Sequence, residues 1–402
     1  MNYIEKNIEE IRKDFPILAR QGFIYLDNAA TSQKPFTVLE KMDWIYKNLN
    51  ANVHRGIYKI AEDITEEYER SRKEISVFIN ASESEIIFTS NTTESINLAA
   101  YMLLQKLKKG DTIVTTLLEH HSNFLPWKKI AKLAGLNLEL VKVTPEGLID
   151  QEDFEKKIEN AKVVAFTHVS NVAGTIVDAK KLVRKAKERG AFVLIDGAQA
   201  APHMKVDVSD LGADFYAFSG HKMLGPTGIG VLYGKKDLLE ELEPPFTGGE
   251  MVKEVHKVGQ SWNDIPWKFE PGTPNYIGSI GLAEAVRYIK KIGIDQIETY
   301  EKKLSEYLLE KVGNIKGLRY AGPKNNRAAL LAFEIEGVHP HDVAAFLDMK
   351  GIAVRSGWHC AQPLQEELGF SNGTTRASLY FYNTFSEIDK LKIALEELVN
   401  IA

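Results

Sequence analysis

From Glu85 to about Gly234 the chain alternates short apolar runs with amphipathic stretches, and this pattern limits its fold more than any other feature. Seven runs have strand length, at residues 86–89, 112–116, 138–143, 163–169, 192–196, 215–219 and 230–233. Helical periodicity fills several of the gaps, over 92–107, 123–134 and 179–189. Strand–helix alternation predicts an α/β fold with a mostly parallel sheet and helices on both faces. Such sheets bind ligands beyond the carboxyl ends of their strands. After Gly278 the texture changes. Amphipathic helices over 279–292 and 294–312 lead to strands near 318–320 and 328–335, then a helix over 341–350. Strands at 352–355 and 375–382 and a closing helix over 386–400 follow. This predicts a smaller α+β domain of residues 278–402, joined by 1–19 with its helix over 3–15, beside a large domain of 20–277. The stretch 243–275, rich in Gly, Pro and Trp, is either a linker or a site-forming loop.

Composition removes several function classes. The 402 residues carry a net charge of −5, so no field of positive charge recruits nucleic acid or anionic lipid. No apolar run approaches the ~18–20 residues that span a bilayer. The first fifteen residues alternate charges and lack a secretory apolar core, so the expected location is the cytoplasm. Cys360 is the only cysteine, which excludes an internal disulfide and a multi-cysteine zinc site. It is either a small buried hydrophobe or a nucleophile. The surrounding Arg355-Ser356-Gly357-Trp358-His359-Cys360 is polar and electropositive, as a lowered thiol pKa requires. His120 and His121 are adjacent, so their rings diverge and no metal site is expected.

The remaining polar residues cluster just past predicted strands. Ser90-Asn91-Thr92-Thr93-Glu94 opens a helix with capping-box spacing, either as a simple cap or as a phosphate site with hydroxyls at the helix start. Other strands end in Glu119-His120-His121-Ser122-Asn123, Ser170-Asn171, Asp196-Gly197-Ala198-Gln199 and Ser219-Gly220-His221-Lys222. Asp196 follows an apolar run and needs a cationic partner. Lys222 sits in a Gly/Pro-rich loop. A buried aspartate, a phosphate-binding helix start and a loop lysine suit pyridoxal phosphate, held by the lysine with the aspartate on its ring nitrogen.

These motifs, with the Gly225–Gly230 loop behind Lys222, resemble the class V aminotransferase branch of the fold-type I pyridoxal phosphate enzymes. More narrowly the chain is similar to cysteine desulfurases of the second group, the SufS-like branch. The match runs in order from Tyr25-Leu26-Asp27-Asn28-Ala29-Ala30 and Asn52-Val53-His54-Arg55-Gly56 through the strand ends above. It continues through Gly272-Thr273-Pro274-Asn275, the Cys360 segment and Arg376-Ala377-Ser378 to Tyr382-Asn383-Thr384. Selenocysteine lyase and other class V enzymes share the pattern.

The resemblance implies a seven-stranded sheet and a role for each motif residue. Lys222 would hold the cofactor and move protons, His120 would stack on its ring, Asp196 would pair with the ring nitrogen, and Gln199 would bond the phenolic oxygen. Thr92, Thr93, Ser219 and His221 would hold the phosphate, with Thr273 reaching it from a second subunit of a homodimer. Asn171 and Arg376 would bind the substrate carboxylate, the arginine by its forked geometry. Arg355, His54 and Arg55 would line the mouth. Cys360 would take sulfur from L-cysteine and pass it to a SufE-like or SufU-like protein or a small thiol, for iron–sulfur cluster assembly. By residue type alone, Arg376 could instead pair with an acid, Asn171 could serve a turn, and His54 could be a loop histidine. His359 is either a surface residue or a group that tunes the thiolate. Two positions depart from the family, Tyr58 where many relatives carry His, and Trp358 beside the thiol.

Overall fold

All seven expected strands join one sheet in the computed structural model, which describes residues 2–401. Their order across it is Ile86–Thr89, Gly230–Gly234, Phe215–Ser219, Phe192–Asp196, Ala161–Thr167, Thr112–Thr116 and Asn137–Val141. Gly230–Gly234 alone runs against its neighbours. The central strands are buried along their whole length, which explains their unbroken apolar runs. Two strands stop earlier than expected. Val143 and Val169 stay apolar but form isolated bridges to Ile149 and Ile176, so the chain has already turned into loops there.

The helix Thr92–Leu103 starts directly above the sheet. Asn91 caps it, its Oδ1 accepting the Glu94 N–H at 3.0 Å. The Glu94 carboxylate accepts the Ser90 N–H, not that of Asn91, so the second half of the expected capping box is shifted back by one residue. Gly230 makes this approach possible: a Cβ there would lie 2.5 Å from the Asn91 Cα.

The second layer is a four-stranded antiparallel sheet ordered Leu318–Tyr320, Leu330–Ile335, Thr374–Ser378 and Arg355–Gly357. The expected strand over 375–382 ends at Ser378. Beyond it Tyr380, Phe381 and Tyr382 enter an aromatic cluster, and the Asn383 side chain accepts the Tyr380 N–H. Helices Ile294–Val312, Pro340–Met349 and Phe385–Ile401 accompany this sheet, whereas Tyr276–Ile292 packs on Phe36–Asn48 and Lys59–Phe78. The N-terminal helix Tyr3–Lys13 is tied to the same region through Glu5–Lys303 (2.8 Å) and Arg12–Glu387 (3.0 Å). Two long helices, Phe36–Asn48 and Lys59–Phe78, have no counterpart in the sequence reading. The stretch 243–275 contains a hairpin, Val252–Val255 with Gln260–Trp262, and is anchored by Glu270. Both carboxylate oxygens of Glu270 accept from the buried Arg72, at 2.7 and 2.9 Å, and one also accepts the Phe88 N–H.

Candidate active site

The carboxyl ends of the parallel strands open into a cavity of about 580 Å³. Thr92, Thr93, His120, Asn171, Asp196, Gln199, Ser219, His221 and Lys222 line it from the large sheet, and Arg355, His359 and Arg376 from the small one. Each large-sheet residue stands where its strand stops, which is why five separate motifs reach one space. At the helix start, the Thr92 N–H donates to Ser219 Oγ at 2.8 Å, and the Thr92 and Ser219 hydroxyls lie 2.6 Å apart. Thr93 and Ser122 pair in the same way at 2.6 Å. Four hydroxyls therefore gather at the positive end of a helix dipole, an arrangement suited to a phosphate.

Burial sets the protonation states. Asp196 is fully enclosed, and this raises its pKa. Among the described residues its carboxylate accepts the Ala198 N–H at 2.9 Å and forms no ion pair. Gly197 lets the chain turn there, because a Cβ would fall 2.0 Å from the Tyr216 ring. Lys222 lies in the 3-10 turn Gly220–Lys222, and burial pushes its pKa down to about 8, with Asp196 acting in the opposite direction. His120 accepts the Ser122 N–H on Nδ1, which leaves its hydrogen on Nε2. Burial and the Lys222 charge push its pKa down to about 3, so the ring is neutral and able to stack on a flat partner. Gln199 donates to the Ala29 carbonyl at 2.8 Å, which fixes its amide plane.

The two arginines come from adjacent strands. Arg355 and Arg376 are direct cross-strand partners. Like charges in that position repel, so the pair calls for an anion between or beside them. Arg376 is buried, donating to Asp27 Oδ1 at 3.1 Å and the Asn171 carbonyl at 2.9 Å, while its Nε has no partner. Asn171 Oδ1 is likewise unpartnered, although its Nδ2 donates to the His359 carbonyl at 2.8 Å.

Cys360 is half-buried at the edge of the cavity, close enough for a thiolate there to raise the pKa of both Lys222 and Arg376. It sits in a tight turn closed by the Ala361 N–H on the Trp358 carbonyl (2.8 Å). The central residues His359 and Cys360 both have positive φ, +48° and +56°, the signature of a type I′ turn usually built from Asn and Gly. Two side chains with Cβ atoms there store about 1–3 kcal/mol each. Of the two readings of His359, the surface one is corrected. The ring is buried, its Nε2 is 3.0 Å from Thr374 Oγ1, and its pKa is pushed down to about 2. Arg376 and Lys222 are the cations that feel a thiolate there.

Three sequence-derived residues lie elsewhere in the single chain. His54 pairs with Glu69 at 2.9 Å and sits edge-on to Tyr68, while Arg55 pairs with Glu250 at 3.0 Å. Thr273 is exposed. Two residues without an assigned role, neither of them lining the cavity, support residues that do. Lys34 is mostly buried with no acidic partner, its pKa pushed down to about 8, and it donates to the His221 carbonyl at 2.9 Å. Glu119 accepts from Thr116, Asn123 and Thr167 beneath His120, and burial raises its pKa to about 8. The lone lysine after Ser32-Gln33 carried no pattern, whereas Glu119 stood visibly at a strand end.

The donor set fits pyridoxal phosphate: a buried carboxylate without a counter-cation, a deprotonatable lysine, a neutral flat imidazole and a hydroxyl-rich helix start. Among the described residues no cluster of His, Cys, Asp or Glu could hold a metal ion. No helix is long and apolar enough to cross a membrane. A "Probable cysteine desulfurase" of Halalkalibacterium halodurans is 50% identical over 398 residues, covering 97% of this chain and 98% of the relative. The apo structure of a cysteine desulfurase from Thermococcus onnurineus NA1 superposes with a TM-score of 0.95 at 46% identity, covering 98% of each chain. The cysteine desulfurase CsdA of Escherichia coli, in an S-sulfonic acid form, gives 0.91 at 38% identity, covering 98% of this chain and 99% of that one. The model of the aminotransferase class-V family matches residues 24–391, and the chain belongs to that family.

Proposed function

We propose that this chain is a pyridoxal phosphate-dependent cysteine desulfurase that converts L-cysteine to L-alanine and keeps the sulfur as a persulfide on Cys360. The carrying observation is the pairing of a lysine-and-aspartate cavity with a lone thiol held at its rim by a strained turn. When bound, pyridoxal phosphate supplies an electron sink for charge developing at the substrate Cα. Lys222 holds the cofactor and then moves the Cα proton. Asp196 would pair with the ring nitrogen, His120 would stack on the ring, and Gln199 would bond the phenolic oxygen. Thr92, Thr93, Ser219 and His221, with the partner subunit's Thr273, hold the phosphate. Arg376, whose Nε–H has no partner, binds the substrate carboxylate together with Asn171, whose Nδ2 has a second hydrogen to donate. Arg355 lines the approach, and His54 and Arg55, outside the cavity of their own chain, reach it across the homodimer.

The thiolate of Cys360 attacks the substrate Sγ. The new S–S bond forms as the substrate Cβ–Sγ bond breaks, and that electron pair stays with the three-carbon fragment, which takes up a proton and leaves as alanine. One thiol and one cysteine thus become one persulfide and one alanine, with no outside oxidant. The persulfide passes to a SufE-like or SufU-like protein or a small thiol in the cytoplasm, for iron–sulfur cluster assembly, and the working unit is a homodimer.

The test uses purified holoenzyme with L-cysteine and a reductant, measuring alanine and sulfide together. Wild type should release both in equal amounts, and one turnover without reductant should add one sulfur to the Cys360 peptide. Cys360→Ser should still bind L-cysteine and change the cofactor spectrum, yet release almost no alanine or sulfide. Because a C–Se bond is weaker, that variant should keep far more activity on selenocysteine. Desulfuration of cysteine by Cys360→Ser at the wild-type rate would overturn the reading.

A further inference from the structure

The turn carrying Cys360 is gripped by a residue that has no part in the chemistry above. His121 donates its backbone N–H to the Cys360 carbonyl at 2.7 Å and accepts the Gln362 N–H on ring Nε2 at 3.3 Å. Together with Asn171 on the His359 carbonyl, these bonds brace both left-handed residues from the large sheet. Consecutive positive φ angles at two residues with side chains persist only where the surroundings over-determine them. The donating amide belongs to the peptide between His120 and His121, so the Cα that carries the cavity-lining imidazole and the brace on Cys360 share one planar unit.

We propose that His121 is a positioning residue for sulfur transfer, which holds the left-handed turn of Cys360 through its backbone N–H and through Nε2 as an acceptor. The proposal rests on Cys360 being the group that receives sulfur. Only a neutral ring offers Nε2 as an acceptor, and the partial burial of His121 favours the neutral form. A glutamine can place Oε1 where Nε2 lies, whereas asparagine is too short and leucine has no acceptor.

Holoenzyme carrying His121→Leu, His121→Asn or His121→Gln is compared with wild type in three measurements. These are single-turnover persulfide formation on Cys360 by mass spectrometry, Cα hydrogen exchange of L-alanine in heavy water by NMR, and iodoacetamide alkylation of the sole thiol. Leu and Asn should slow persulfide formation about ten- to a hundredfold, the usual result of misplacing a reacting atom by about 1 Å. They should leave Cα exchange, which does not involve the thiol, at the wild-type rate, and raise alkylation several-fold by freeing the turn. Gln should restore both altered rates. Wild-type sulfur transfer and alkylation in the Leu and Asn variants would overturn the proposal, as would a Gln variant as impaired as they are. Should Leu not fold, the Asn and Gln pair decides. A wild type that never acquires sulfur would instead defeat the desulfurase reading, while alkylation would still report on the brace.

Discussion

Lys222 shows how burial turns an ordinary side chain into a reactive one. A lysine in water stays protonated to about pH 10.4 and is then a poor nucleophile. Here burial lowers its pKa to about 8, although Asp196 and the nearby thiol work to raise it. Only the neutral amine can capture the cofactor aldehyde. Reconstitution of the apoprotein should therefore speed up as pH rises and level off above about 8. Asp196→Asn removes an anion that favours the charged lysine, so its midpoint should move to lower pH. Borohydride trapping across a pH series, with the adduct mapped to Lys222, measures both. A midpoint near that of free lysine would show that Lys222 is not the buried amine described above. Protonation behaviour of this kind was only half legible in the sequence. The apolar run before Asp196 announced its burial, but the same burial at His359 was hidden. The Arg355–Cys360 segment is mostly polar, and the burial of its imidazole against Thr374 rests on contacts distant in sequence.

Strands and their ends carry the site, and these were the readable part of the chain. Unbroken apolar runs mark the central strands because helices cover both faces. Polar motifs follow each run because the carboxyl edge is where the chain can leave the sheet. What remained obscure depended on contacts distant in sequence. The helix Lys59–Phe78 is long and amphipathic, yet nothing local shows that Arg72 is enclosed or that Glu270, far along the chain, receives it. That pair fastens the loop-rich stretch 243–275 to the first strand and thereby to the helix start beneath the site. Removing one member leaves a buried charge unpaired, which costs about 3–5 kcal/mol. Arg72→Ala should lower the thermal midpoint by several degrees and weaken cofactor retention, because Glu270 also accepts the Phe88 N–H in the strand leading to Thr92. Replacing the pair together, with Arg72→Met and Glu270→Leu, should recover part of the stability, because the Phe88 N–H and the Ile86 carbonyl still lose their partners. Calorimetry of wild type and the two variants decides; an Arg72→Ala protein as stable as wild type would mean that the pair anchors nothing.

The single chain leaves three of its expected site residues outside the cavity, and the exposed surface around them explains how they could be recruited. Ile57 is 95% exposed and Tyr58 56%, in the same segment as His54 and Arg55. Trp44 and Tyr46 lie exposed on the preceding helix, and Asn50 bonds the Tyr276 hydroxyl at 2.8 Å, which brings this patch beside Gly272-Thr273-Pro274-Asn275. A nearly naked isoleucine gains about 1.5–3 kcal/mol when covered. A twofold contact would cover two such patches at once and carry each Thr273 toward the other subunit's site, since an isologous interface repeats every contact. Tyr58 then faces the partner instead of solvent, which gives that departure from the family a place in the assembly. Sedimentation of the holoenzyme should give a dimer. Ile57→Asp combined with Tyr58→Lys should shift it toward monomer and lower cofactor occupancy together with desulfuration, although neither residue touches the cavity. The linkage is the informative part: mass action ties a phosphate contact donated in trans to the dimer fraction, so occupancy should recover as protein concentration rises. A wild-type monomer that retains its cofactor fully on dilution would show that each chain builds its site alone.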